Sequence, residues 1–253
     1  MSINGDSRAI VEQEIAYAAE AGLSYWAFVD YWDEVRDMHL AMNRYLAAKD
    51  KKGVRYCFVE EGQRLDKVGT QGWSRLVEHF RHPDYQTVLG FDAVSAYARG
   101  GSYSMTQPSY AEQCAMIRRD RWEKCRTLRL PSITFASTGW DTPPRNERPP
   151  SWMKEVRATP DPTPPARQRP LLDSVTATPE ELASHVREAI EWTAANRDLN
   201  PANTLIIYAW NEHEEGGWLQ PTLGSDGRPN EERIQALGKV LRSLPFKAGT
   251  SKP

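Results

Sequence analysis

Amphipathic helical patterns alternate along this chain with short apolar runs, and each run ends in acidic and aromatic residues. The four clearest runs begin at Leu23, Val54, Pro131 and Leu205. Such alternation is typical of α/β folds, in which helices cover a largely parallel sheet. The carboxyl ends of parallel strands carry functional side chains, because the loops that follow can vary over a rigid sheet. The pattern therefore predicts a site at that edge.

The fold class expected from this alternation is a (β/α)8 TIM-type barrel formed by residues 1–246, with a flexible tail at residues 247–253. Only five or six strands can be recognised, and a helical pattern comes first. Either irregular strands lie in the proline-rich region, or the barrel is incomplete and lacks its first strand. A missing strand would leave two edges uncovered, which would favour a homodimer.

Local signals give the expected boundaries. Ser7 is the expected cap of the first helix and Gly22 its end, while Thr178 and Glu181 form a capping box. Helices are predicted at residues 8–21, 34–48, 72–80, 109–126, 178–190 and 232–244. Strands are predicted at residues 23–32, 54–59, 85–89, 93–98, 131–137 and from residue 205. Residues 224–229 are predicted to form a loop.

Residues 143–179 contain ten of the 18 prolines. Proline disrupts helices and central strands, so this region is predicted to be irregular. A connection of this length inside a compact domain is usually a functional loop or a linker. Because it joins two predicted site strands, a long loop beside the pocket is favoured, and a domain boundary is the alternative.

The run at residues 205–208 is followed within ten residues by three acids, two glycines and two tryptophans. Glu212 and Glu215 are three residues apart, so a continuing strand would point them to opposite faces. Both can reach one pocket only if the backbone turns just after Glu212. Gly216 and Gly217 allow such a turn.

Two neighbouring carboxyl groups cannot both ionise easily, which gives one acid and one base. Glycoside hydrolysis uses such a pair, about 5 Å apart for retention of configuration and roughly 6.5 to 9.5 Å apart for inversion. Trp210 and Trp218 could stack on a sugar ring. The alternative is that the acids only solvate a surface loop.

This stretch resembles the signature of glycoside hydrolase family 99 and of family-99-like proteins, some of which are labelled WbsX-type polysaccharide biosynthesis proteins. The pattern Trp-Asn-Glu, two variable residues, Glu-Gly, a short apolar stretch and proline is matched from Trp210 to Pro221. The resemblance implies that Glu212 is the base, acting on the substrate 2-hydroxyl to form an anhydrosugar, and that Glu215 is the general acid and then base. Gln220 departs from the pattern, which usually has glutamate there.

A second family-99-like motif, Gly-Trp-Asp-x-x-Pro-Arg, is matched from Gly139 to Arg145, and an Ala-Gly-x-x-Tyr-Trp-Ala-Phe run is matched from Ala21 to Phe28. Strand-end position and resemblance together define the expected carbohydrate-binding residues. These are Asp30, Tyr31, Trp32, Glu60, Tyr97, Trp140, Asp141, Arg145, Tyr208, Trp210, Asn211 and Trp218. Asp141 and Arg145 could instead pair with each other and brace their loop.

Composition limits the kinds of partner and the location that we expect for this protein. A net charge of −2 lacks the basic footprint of a nucleic-acid-binding protein. No apolar run is long enough to span a membrane, and no signal peptide is visible at the amino terminus, which favours a cytoplasmic location. Three widely spaced cysteines indicate reduced thiols. His79 and His82 have no third ligand at a recognisable spacing, so no metal is expected.

The expected function is retaining hydrolysis of an α-linked, mannan-like glycan or polysaccharide through Glu212 and Glu215, without a cofactor. One alternative is a catalytically weak glycan-binding or polysaccharide-biosynthesis-associated protein with the same fold. A second is metal-dependent hydrolysis through His213 with Glu214 or Glu215, although a partner motif such as two histidines four apart is missing.

Overall fold

The computed structural model of the chain describes residues 7–29, 40–59, 78–85, 95, 108–141 and 176–243. The chain divides into two compact units, residues 1–90 with 238–253 and residues 91–237. Each unit has its own elements and core. The extent of the predicted barrel domain, residues 1–246, stays a prediction.

The first unit contains two helix-then-strand repeats. Its elements are α1 (Arg8–Ala21), β1 (Tyr25–Val29), α2 (Leu40–Ala47) and β2 (Arg55–Val59). β1 and β2 pair in parallel, with Tyr25 opposite Arg55. α1 ends at Gly22, whose φ of 85° places it in the left-handed region that favours glycine, as the sequence predicted.

The core of this unit is aromatic. Tyr45 and Tyr56 are fully buried, and their rings are 5.6 Å apart in an edge-to-face arrangement. The Tyr45 hydroxyl donates to the carbonyl of Val54 at 2.7 Å, which satisfies the buried phenol. Cys57 is a free, buried thiol in the same core, and burial raises its pKa to about 12. The thiol therefore stays protonated at neutral pH.

The second unit begins with a helical segment that the sequence predicted as one α-helix. The structure instead has α3 (Tyr110–Ile117), a π-helical turn (Arg118–Glu123) and α4 (Lys124–Leu128). The wider turn includes Trp122, which is buried and donates its Nε1 hydrogen to the carbonyl of Phe135 at 2.9 Å. Helical periodicity in the sequence cannot reveal such a turn, because a π-turn adds only one residue to the pattern.

Two parallel strands form the centre of the second unit. β3 (Thr134–Ser137) pairs with β4 (Leu205–Tyr208), so Ser137 lies opposite Tyr208 at the carboxyl edge. α5 (Pro179–Ala195) packs against both strands and begins with the predicted capping box of Thr178 and Glu181. The alternation of helix and parallel strand thus places the ends of β3 and β4 side by side.

Short hairpins follow β4. β5 (Asn211–Glu212) pairs with β6 (Gly217–Trp218), and β7 (Thr222–Leu223) pairs with β8 (Pro229–Asn230), both antiparallel. The predicted loop at residues 224–229 was therefore wrong at its end, since Pro229 belongs to a strand. Proline is tolerated there because the strand is at an edge. α6 (Glu232–Ser243) closes the described chain, and the division between the units falls within it.

Among the described residues, the strands form four two-stranded sheets and no closed barrel. The two parallel pairs are the pairing that an α/β fold requires. Part of the prediction lies outside the described residues: the strand at 86–89, the strand at 93–98 except Ser95, residues 72–77 of the helix at 72–80, and residues 143–175 of the proline-rich region. Of the helices that the structure describes, none is long and apolar enough to cross a membrane.

Helix capping gives a direct test of the local structure. Ser109 caps α3 in a capping box with Glu112, whereas the side chain of Ser7 makes no cap hydrogen bond at α1. Ser109→Ala should lower the free energy of unfolding by about 1 kcal/mol, because an orphan N–H loses its acceptor. Ser7→Ala is the matched control, and denaturant unfolding should show little change for it. Equal effects would contradict the assigned caps.

His185 on α5 predicts acid sensitivity. It is buried, stacks on Trp122 with ring centroids 5.6 Å apart, and burial lowers its pKa from 6.5 to about 4. Between these values only the unfolded chain binds the proton, so stability is fully present above pH 6.5 and is lost as the pH falls toward 4. Within that window the free energy of unfolding falls by about 1.4 kcal/mol for each pH unit, and the total loss is about 3 kcal/mol.

The measurement compares wild type with His185→Phe, which keeps a ring against Trp122. Free energies of unfolding are measured at intervals between pH 7 and pH 4. The difference between the two proteins should change by about 3 kcal/mol in favour of the variant as the pH falls. Parallel curves would contradict the buried neutral histidine.

Candidate active site

The chain turns directly after Glu212. A single 3-10 turn spans His213–Glu215, Gly216 follows with a φ of 74°, and β6 returns antiparallel to β5. Glu212 pairs across the hairpin with Gly217, and Glu215 lies at the end of the turn. In a continuing strand the two glutamate side chains would point to opposite faces of the sheet. The turn removes this obstacle, so both side chains can be directed toward one pocket.

Glu215 is held by both its side chain and its main chain. It is only 5% exposed, and the hydroxyl of Tyr208, itself buried, donates to its Oε2 at 2.5 Å. The N–H of Asp141 donates to the carbonyl of Glu215 at 2.6 Å. A buried carboxyl group that accepts such a hydrogen bond has a fixed orientation. The position of Glu215 is thus set by β4 and by the loop after β3.

Thr138 joins those two strand ends. Its N–H and its hydroxyl both donate to the carbonyl of Tyr208, at 2.6 and 2.9 Å, and its Oγ1 accepts from the N–H of Ala209 at 3.0 Å. Both the carbonyl and the N–H of the Tyr208–Ala209 peptide, which is cis, are therefore hydrogen-bonded to one residue. Because Thr138 is completely buried, water does not compete for these bonds.

The two glycines of the turn allow the loop after β3 to approach. A Cβ at Gly216 would come within 2.4 Å of the N and Cβ of Asp141, and one at Gly217 within 2.8 Å of the carbonyl oxygen of Gly139. Real Cβ atoms do not make such contacts, so both positions need glycine for space. Gly216 needs it for its backbone angle as well.

Three half-buried tryptophans surround this turn. The Trp140 ring is 6.5 Å from the Tyr208 ring, and the Trp218 ring is 5.7 Å from the imidazole of His213. The carbonyl of Trp210 accepts from the N–H groups of Leu219 and Gln220, at 2.9 and 2.8 Å. The rings of Trp140 and Trp218 are only partly covered, so they can stack on a sugar while their ring contacts keep them in place.

Arg233, at the start of α6, reaches the same place, and the sequence did not indicate it. Its guanidinium lies over the Trp218 ring, with Cζ 4.6 Å from the centroid, and donates to the carbonyls of Ala177 and Thr138. A polar residue in the first turn of an amphipathic helix is usually solvated, so no sequence pattern distinguishes Arg233 from its exposed neighbours.

The structure brings together eight of the sequence-predicted residues in the second unit. These are Glu212, Glu215, Trp140, Asp141, Tyr208, Trp210, Asn211 and Trp218. Asn211 is exposed, and the hydroxyl of Tyr208 is bonded to Glu215. The predicted residues Asp30, Tyr31, Trp32, Glu60, Tyr97 and Arg145 lie outside the described residues, so the expected pairing of Asp141 with Arg145 stays a prediction.

The chemistry available at this turn is that of two carboxyl groups in different environments. Glu215 is buried against a phenol, whereas Glu212 is half-buried across the turn. Within the described part of the chain, no three His, Cys, Asp or Glu side chains converge as a metal-binding group.

No family model and no curated protein matches the sequence. A solved structure does resemble the chain: that of the GH99 endo-α-mannosidase from Bacteroides thetaiotaomicron in complex with bis-tris propane. The TM-score is 0.54 at 11% sequence identity, covering 95% of this chain and 84% of that one. At this identity the likeness concerns the fold alone. The chain therefore has a GH99-like fold, and its turn carries two carboxyl groups in different environments.

Proposed function

We propose that the protein is a retaining glycoside hydrolase that acts on an α-linked, mannan-like glycan or polysaccharide through Glu212 and Glu215. The observation that carries the proposal is the turn at His213–Glu215, which follows the β4 strand and separates a half-buried carboxyl group, Glu212, from a buried one, Glu215. The GH99-like fold supports it, since the structural neighbour is an endo-α-mannosidase. The surrounding tryptophans would form the sugar-binding walls.

The roles of the two acids follow from the resemblance to family 99. Glu212 takes the proton of the substrate 2-hydroxyl, whose oxygen attacks the anomeric carbon. The glycosidic bond breaks, and its oxygen receives a proton from Glu215, which leaves a 1,2-anhydrosugar. Water then attacks the anomeric carbon, gives a proton to Glu215, and the 2-oxygen recovers its proton from Glu212. Both glutamates end in their initial protonation states, and configuration is retained.

The test is incubation of the protein with a panel of α-mannans and bacterial polysaccharides, followed by product analysis. We expect new reducing ends from at least one α-linked polymer, with the α-anomer formed first in NMR spectra. Initial formation of the β-anomer would contradict retention. Glycan binding in calorimetry without released reducing ends would instead favour a glycan-binding protein with the same fold.

Tyr208→Phe should lower kcat about tenfold with little change in KM, because it removes one hydrogen bond from Glu215 and no contact needed for glycan binding. The substitution deletes a single oxygen, so the ring packing against Phe135 and Trp140 is kept. Steady-state kinetics on the most active glycan give the two constants separately.

Tyr110→Phe is the matched control, since the Tyr110 hydroxyl donates to the carbonyl of Ser137 and not to either glutamate. A loss of affinity in Tyr208→Phe with an unchanged kcat would mean that this hydroxyl binds substrate instead of orienting Glu215.

A further inference from the structure

Arg233 is a buried cation whose donors are directed at the main chain. It is 9% exposed, and burial lowers its pKa from 12.5 to about 10, so it remains charged at neutral pH. One nitrogen donates to the carbonyl of Ala177 at 2.8 Å and another to the carbonyl of Thr138. Nε finds no acceptor among the described residues. A buried charge and an unpaired donor both oppose folding, so packing alone does not explain arginine here.

The contacts of Arg233 connect three segments at the candidate site. Ala177 precedes α5, Thr138 follows β3, and Trp218 is on β6. The planar guanidinium can bond two carbonyls and cover an aromatic ring at the same time, which a lysine ammonium cannot do. Thr138 in turn bonds Tyr208, the residue that holds Glu215. Arg233 thus contacts a predicted sugar-stacking ring and the loop beside the catalytic pair.

We propose that Arg233 is a positioning residue of the glycan site, which holds the Trp218 ring from its buried side as a rigid stacking surface for a sugar. The proposal rests on the proposed function. A ring fixed before binding loses less conformational freedom on contact with the ligand, which strengthens binding. Because Arg233 touches Trp218 and neither glutamate, its removal should affect glycan affinity more than the chemical step.

The test compares Arg233→Lys with Arg242→Lys, the same substitution on the same helix. Arg242 is exposed and donates to one carbonyl, that of Glu20, so it is a suitable control. Binding of α-mannan oligosaccharides is measured by calorimetry in a Glu215→Gln background, and kcat is measured with an intact Glu215. We expect Arg233→Lys to raise Kd about tenfold, with kcat within about threefold of wild type, and Arg242→Lys to change neither.

A second readout follows the ring itself. Incorporation of 5-fluorotryptophan gives one fluorine signal for each of the nine tryptophans, and Trp218→Phe identifies the signal of Trp218. We expect this signal to shift and broaden in Arg233→Lys and to stay in place in Arg242→Lys. The Arg233→Lys substitution should also add little to the loss of affinity in a Trp218→Phe background, because coupled residues are not additive.

An unchanged Trp218 signal, or an unchanged Kd, in Arg233→Lys would overturn the proposal while leaving the hydrolase assignment intact. Wild-type protein that binds and hydrolyses no glycan would overturn the proposed function, and the role of Arg233 with it. If Arg233→Lys does not fold, Arg233→Met, which removes the charge, is judged by the same criteria. If both Arg233 variants are unfolded while Trp218→Phe is folded, Arg233 stabilises the fold and does not act through Trp218.

Discussion

Glu215→Gln should lower the rate of glycan hydrolysis about 10³-fold, because a positioned general acid contributes a factor of roughly 10² to 10⁴. Glutamine has nearly the same shape and can accept the hydrogen bond from the Tyr208 hydroxyl, but it cannot transfer a proton. Glycan affinity should therefore stay within about threefold of wild type. Initial rates are measured from released reducing ends and affinity by calorimetry.

Glu214→Gln is the matched control for this prediction. Glu214 is the adjacent residue of the same 3-10 turn and is half-buried, and the family pattern assigns it no role. Its substitution should change the rate by less than about threefold. Substrates with good leaving groups should be less affected by Glu215→Gln, because they need less proton donation. If Glu214→Gln and Glu215→Gln lowered the rate of hydrolysis equally, the assignment of Glu215 as the general acid would be contradicted.

Gly216→Ala should lower the free energy of unfolding by about 2 to 5 kcal/mol, which combines left-handed backbone strain with overpacking. The strain arises from the φ of 74°, and the overpacking arises because the new Cβ would come within 2.4 Å of Asp141. Hydrolysis should fall as well, since the loop after β3 must move away from Glu215. Denaturant unfolding and initial rates provide the two measurements.

Gly227→Ala separates these two effects. Gly227 has a φ of 78° but open space where a Cβ would be placed. Its substitution should therefore lower the free energy of unfolding only by the backbone strain, about 1 to 2 kcal/mol, and should leave hydrolysis unchanged. If both alanine variants were equally stable, the close approach of Gly216 to Asp141 would not exist in solution.

Local patterns predicted several elements correctly. Apolar spacing and Gly22 gave both ends of α1, and the capping box of Thr178 gave the start of α5. The turn after Glu212 was also expected, since two glycines follow the acids. These features depend on residues within one or two helical turns of each other, which is the range over which sequence patterns carry information.

Other features could not be predicted in this way. The π-turn at Arg118–Glu123 leaves the helical periodicity nearly unchanged, and the β7–β8 hairpin has strands of only two residues. Ser7 has a favoured residue type for a cap, yet its side chain makes no cap bond. At the π-turn and the hairpin the local signal was weak, and at Ser7 a favoured residue type occupies the cap position without making the bond.

The amino-acid order alone defines the pair of glutamates three residues apart, the glycines that follow them and the apolar strand that precedes them. It does not show what holds Glu215, because the Tyr208 hydroxyl reaches it only after the chain has turned. The bonds of Thr138 to Tyr208 and of Arg233 to Thr138 join residues 70 and 95 positions apart. Such contacts depend on which strand ends become neighbours in the fold. Local sequence preferences do not determine which distant segments pack together.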